Sequence, residues 1–164
     1  MRTDPPYLDD ERPALEAWLE YHRATLLLKC EGLDAAGLRA RSIAPSIMSL
    51  HGLVRHMAEV ERNWFRRVLD GQALEGGIYL TDDNEDGDLD VPDDALFTDD
   101  LAVWQAEVDT ARRIAGEHGL DDTGLRRGEQ VSLRWIYLHM IEEYARHNGH
   151  ADLLRELVDG TVGD

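Results

Sequence analysis

The chain has 164 residues, 43% hydrophobic and 31% charged, the length and balance of one globular domain spanning residues 1–164 with a sizeable core. With 34 acidic against 17 basic residues the net charge is -17, so the surface repels phosphate backbones and anionic membranes, and nucleic-acid binding is not expected. The single cysteine, Cys30, excludes an internal disulfide and fits a reducing cytoplasm. No apolar run approaches the roughly 18 residues of a membrane span, so a cytoplasmic protein with no membrane partner is expected.

Asp9 or Asp10 can cap a first helix with Pro13 in its first turn, and Leu15, Trp18, Leu19, Leu26 and Cys30 carry its apolar period to about Gly32. His22 falls on the same side and reads as a hydrogen-bonded core histidine. Residues 33–46 form a connector, broken at Ala44-Pro45-Ser46. A second helix runs from about Ser49 to Leu69 and stops at Asp70-Gly71. On it His56 flanks the apolar face, His51 falls on the far flank and reads as surface, and Glu61 lies inside the stripe, where it calls for an arginine or histidine partner.

The 27 residues from Gly71 to Phe97 have almost no periodicity. In a helical bundle that length suits a connection travelling the full height between two parallel helices. Ten acidic residues crowd Asp82 to Asp100, and Asp82, Asn84, Asp86, Gly87 and Asp88 approach a calcium-loop pattern. Asp93 stands where that loop wants a longer Glu, and no amphipathic helices flank the segment, so it reads as a solvated acidic loop. Thr98 caps a third helix to about Gly119, which contributes wall and no chemistry. Residues 120–130 form a polar link, and Ser132 opens a fourth helix to about Asp159. Four helices without a strand set predict an all-α four-helix bundle.

The fourth helix carries the densest chemistry. With Glu143 at zero on a helical wheel, Ile136, Met140, Ala151, Leu154, Leu157 and Val158 fall within roughly 80° of it, and so do His139, His147 and His150. Burying a carboxylate and three imidazoles unpaired is expensive. Two readings satisfy them: a polar network of core hydrogen bonds, or a metal ion that neutralises Glu143 and uses the imidazole lone pairs, with Glu143 and His147 adjacent at i and i+4.

The segments S-L-H-G-L-V-R-H-M-A-E-V-E-R-N-W-F-R at 49–66 and H-M-I-E-E-Y-A-R-H-N-G-H-A-D-L-L-R-E at 139–156 resemble the DinB superfamily. They look closest to its actinobacterial mini-circle protein-like branch, related to mycothiol-dependent maleylpyruvate isomerase. The resemblance implies an up-down-down-up bundle with the long crossover between helices 2 and 3. It also implies a metal held by His56, Glu143 and His147; Zn²⁺ or Ni²⁺ is expected there, and His139 and His150, which flank the ligands on the same helical face, are candidates for orienting them or moving protons. Many members have His at the position of Glu143, whereas the isomerase has Glu. The implied activity is chemistry on a small molecule with a low-molecular-weight thiol, as a transferase, isomerase or hydrolase. A non-catalytic metal- or ligand-binding protein is the alternative, and an exposed bundle flank is compatible with a homodimer. Cys30 has no activating neighbour in sequence and is not expected to be a nucleophile.

Overall fold

The computed structural model describes residues 2–163; Met1 and Asp164, the ends of the expected 1–164 domain, lie outside them. The chain is mostly helical: α1 (Glu11–Cys30), a short α2 (Ala35–Arg39), α3 (Leu50–Glu61), which runs on as a π-helical segment Arg62–Leu69, α4 (Phe97–Gly116) and α5 (Leu133–Asp159). A small antiparallel hairpin, β1 (Thr123–Arg126) and β2 (Glu129–Ser132), precedes α5 and corrects the strand-free reading of residues 120–130. Arg127 and Gly128 turn it with φ of 53° and 86°, the left-handed pair that a two-residue hairpin loop requires.

The caps agree with local chemistry in most places. Ser49 and Ser132 accept hydrogen bonds from Gly52 N and Trp135 N at the starts of α3 and α5, and Gly160 closes α5 at φ 80°. Asp10 caps α1 without a side-chain bond. The start of α4 differs from expectation: Leu96 holds the cap position, and Thr98 lies inside the first turn with Asp99 and Asp100.

Contacts along the helices fix their directions. Glu11 pairs with Arg134 and Lys29 with Asp152, so α1 and α5 run parallel. His51 meets Asp100 and Arg66 meets Glu107, so α3 and α4 are parallel too, with the crossover spanning between them. Arg12 reaches the carbonyls of Ala115 and His118, which makes α1 antiparallel to α4. Leu26, Leu53, Met57, Ile114, Ile136, Met140 and Leu154 fill the centre.

The wheel of α5 is turned from the expected one. Tyr137, Tyr144 and Asn148 are buried alongside Met140 and Ala151, while Leu157 is 60% exposed. These three polar-tipped residues move the centre of the buried stripe by roughly 80°, which leaves His139, Glu143, His147 and His150 on its border, half-buried beside solvent. No helix among the described residues is long and apolar enough to cross a membrane.

Candidate metal centre

Two helices and the crossover build the cluster. His56 stands on α3 and is antiparallel-packed against His147 of α5, with ring centroids 4.6 Å apart. One turn back on α5, Glu143 Oε2 is 3.5 Å from His147 Nε2. One donor atom each of His56, Glu143 and His147 lies within 4.8 Å of the other two, a grouping able to hold a metal ion. Their side chains are 25%, 18% and 13% exposed, so the cluster is reached from solvent while sitting against the core.

The crossover supplies a group that the sequence reading missed. Asp88 turns inward and is only 5% exposed; its Oδ2 accepts from His56 Nδ1 at 2.7 Å while its Oδ1 accepts from Leu89 N at 2.8 Å. A carboxylate on Nδ1 fixes the tautomer of His56 and leaves Nε2 with a free lone pair. Buried Arg55 holds this stretch in place by donating to the carbonyls of Gly87 at 2.8 Å and Asp88 at 3.2 Å. Gly87 packs against the Tyr79 carbonyl so closely that no Cβ fits. Asp90 pairs with Arg41. The expectation of a merely solvated acidic loop is therefore corrected: Asp88 is structural to the cluster, and its engagement dismantles the calcium-like spacing.

The charges suit ligation. Burial, with His56, His150 and Arg146 nearby, pushes His147 down to about 4, so its ring is neutral at neutral pH. His150 Nδ1 lies 3.4 Å from His147 Nδ1, a contact in which one nitrogen donates and the other accepts. His139 Nε2 lies 3.3 Å from Glu143 Oε1. Burial lowers the His139 pKa against the opposing pull of Glu143 and Glu142. His139, Glu142 and Glu143 also group closely enough for an ion, yet Nδ1 of His139 faces Glu142 at 3.7 Å, opposite to the nitrogen facing Glu143, and Glu142 is taken by Arg146.

Beyond His139 the same face becomes aromatic. Trp135 stacks on the His139 ring at 5.0 Å and 16°, Trp64 meets it edge-on at 4.4 Å, and the Arg126 guanidinium lies 4.4 Å over Trp64. The π-helical segment carries Trp64 to this point, and π-helical turns often mark functional sites.

The remaining sequence candidates lie elsewhere. His22 is half-buried, with its carbonyl accepting from Asn148 at 3.0 Å, which agrees with a structural role. His51 is fully buried and Nε2 lies 2.7 Å from Asp100 Oδ2, which corrects its reading as surface; the approach of α4 covers a flank that α3 alone leaves open. Glu61 takes two bonds from Arg23, at 2.7 and 2.6 Å, and a third from Tyr144, the partner its stripe position demanded. Cys30 is buried and pushed up to about 12 by that burial, an inert thiol.

Fold and cluster together define a mostly helical protein with two imidazoles and a carboxylate arranged to suit a divalent ion. A family model, mycothiol-S-transferase, matches residues 14–160, from the first turns of α1 to the end of α5. The chain therefore belongs to the mycothiol-S-transferase family, one of the DinB-like superfamily. No curated protein matches the chain.

Proposed function

We propose that this protein is a metal-dependent transferase that joins the thiol of mycothiol to a small electrophilic molecule, using a divalent ion held by His56, Glu143 and His147. The observation that carries the reading is the Asp88–His56 contact at 2.7 Å, because a carboxylate behind a ligand imidazole is the usual way a metal histidine is oriented and made more basic. Two imidazoles and one carboxylate suit Zn²⁺ or Ni²⁺ and leave coordination positions open. The partial exposure of all three side chains favours such an open site over a closed structural one. When bound, the ion supplies a cation that stabilises a thiolate near neutral pH.

The protein's own groups do the rest. Asp88 accepts from Nδ1 of His56 and so presents Nε2 as the nitrogen for the ion. His139 sits against one oxygen of Glu143, leaving the other turned towards His147. His150, against His147 Nδ1, holds that ring and, with His139 beside Glu143, is a candidate for moving protons at the ligands. In the reaction the S–H bond and the bond from carbon to its leaving group break, a C–S bond forms, the proton passes to solvent and the leaving group departs with its electron pair. An up-down-down-up four-helix bundle is the architecture supported by the parallel pairs α1–α5 and α3–α4 and their antiparallel relation. A reducing cytoplasm, where a free thiol persists, is the compartment that fits.

The test is conjugation of mycothiol to monochlorobimane by zinc-loaded protein. The reading expects a rate well above the protein-free one, lost on chelation and in His147→Ala. Equal rates with and without protein contradict transfer; undiminished transfer by chelated protein contradicts the metal.

A further inference from the structure

The hairpin and the start of α5 border a recess of about 620 Å³ whose lining includes Arg126, Arg127, Glu129, Gln130, Ser132 and Trp135. Three features set it apart from ordinary surface. First, its lining carries two arginines against one carboxylate, Glu129, in a chain with 34 acidic and 17 basic residues, and neither Arg126 nor Arg127 has a carboxylate within ion-pair distance among the described residues. Arg126 is the register partner of Glu129 in the strand ladder, yet it forms no ion pair with it and its guanidinium lies over the Trp64 ring. An arginine left without an anion where carboxylates outnumber it is a group held ready for one.

Second, the recess has an aromatic floor shared with the cluster. Trp135 lines it and stacks on His139, and Trp64 meets both rings, at 5.3 Å from Trp135 and 4.4 Å from His139. From Trp135 to Glu143 is two turns of α5, about 12 Å of helix. Arg126 lies over Trp64, Trp64 meets His139 and His139 meets Glu143, so the floor is continuous with the metal-type cluster. Third, Arg127 holds φ of 53° in the tight turn, where Asn or Gly is favoured, so the hairpin keeps an arginine at a backbone position that disfavours it.

We infer that this recess is the subsite for the electrophilic substrate, and that the substrate class is a planar aromatic bearing a carboxylate, which Arg126 pairs and Trp135 stacks. The inference deepens the transferase reading and rests on it for the word substrate, while the binding itself is independent of metal and thiol. In this reading the thiol is bound at the cluster and leaves Arg126 to the electrophile.

4-Nitrobenzoate is the probe, since nitroarenes quench tryptophan fluorescence on contact. Saturable quenching is expected with the full chain and with His147→Ala alike. Arg126→Gln should weaken it about tenfold or more, consistent with loss of one charge-assisted contact. Methyl 4-nitrobenzoate should bind both forms equally and weakly, and Arg113→Gln, on the exposed face of α4, should behave as the parent. With 4-chloro-3-nitrobenzoate and mycothiol, a C–S bond forms, chloride leaves and the proton goes to solvent; Arg126→Gln should raise KM there and leave the neutral 1-chloro-2,4-dinitrobenzene within twofold. Equal binding of acid and ester, Arg126→Gln affinity within twofold of the parent, or displacement of the probe by mycothiol overturns the inference. Arg126-dependent binding with no conjugation of any electrophile keeps the anion subsite and removes the transferase reading instead.

Discussion

Asp88 does for His56 what no residue on α3 could, because its oxygen meets Nδ1 from the crossover at 2.7 Å and decides which nitrogen faces Glu143 and His147. Replacing Asp88 with Asn keeps the shape and removes the charge, and it should lower zinc affinity 10- to 100-fold, read by competition with a chelating dye; unchanged affinity would remove Asp88 from the centre. Away from the cluster, buried Arg23 and Glu61 form a pair whose loss on one side strands the other charge. Arg23→Met should cost about 3–5 kcal/mol in urea unfolding, with much of it recovered in the Arg23→Met/Glu61→Leu double variant. Asp100 sets an acid limit. Burial works to raise its pKa, but bonds from His51 and Arg55, with the Tyr79 hydroxyl nearby, prevail and hold the carboxyl below the ordinary carboxylate value. A depressed folded-state pKa means its stabilisation is complete above the unfolded value near pH 4 and drains away as pH falls through the lower folded value. Asp100→Asn should therefore flatten the stability profile below about pH 4 relative to the parent, measured by urea melts across pH.

Among the elements, the crossover and the hairpin matter more to the site than their irregular sequences suggest. Gly87→Ala drives a methyl into the Tyr79 carbonyl and must displace the Asp88 stretch, so metal affinity should fall while far-UV helicity stays that of the parent. A variant that loses helix and metal together would make Gly87 a folding residue. Gly124 is the equivalent position for the hairpin, where β1 lies against the Val68 carbonyl at the end of the π-helical segment. The long helices were legible because capping serines, apolar period and glycine stops agree at Ser49, Ser132 and Gly160. The hairpin was not, since T-G-L-R and E-Q-V-S carry little β-branching and the turn shows glycine at only one of its two centres. On α5, Glu143 and His147 could be singled out because polar groups stood out among apolar neighbours. The tilt of that face could not, because Tyr137, Tyr144 and Asn148 look polar until Glu16, Glu61 and the His22 carbonyl satisfy them. Asp88 was hidden by company: in a run of carboxylates nothing in one sequence distinguishes the one that turns inward.

For the whole molecule, the net charge of -17 gathers partly in the crossover, yet that loop is organised by contacts to Arg55, Arg41 and His56. Calcium should bind the loop no more tightly than about millimolar, since Asp88 and Asp90 are already engaged. A micromolar heat lost in Asp82→Ala would contradict that. The larger consequence is that parallel pairing of α3 with α4 compels the crossover to pass over α3, where it delivers Asp88 to one side of the cluster while α5 delivers Glu143 and His147 to the other. The most direct test is elemental analysis of the purified protein and of His56→Ala, Glu143→Ala and His147→Ala. The account predicts about one divalent ion per chain in the parent and most of it lost in each variant. Stoichiometric metal in all three would contradict it.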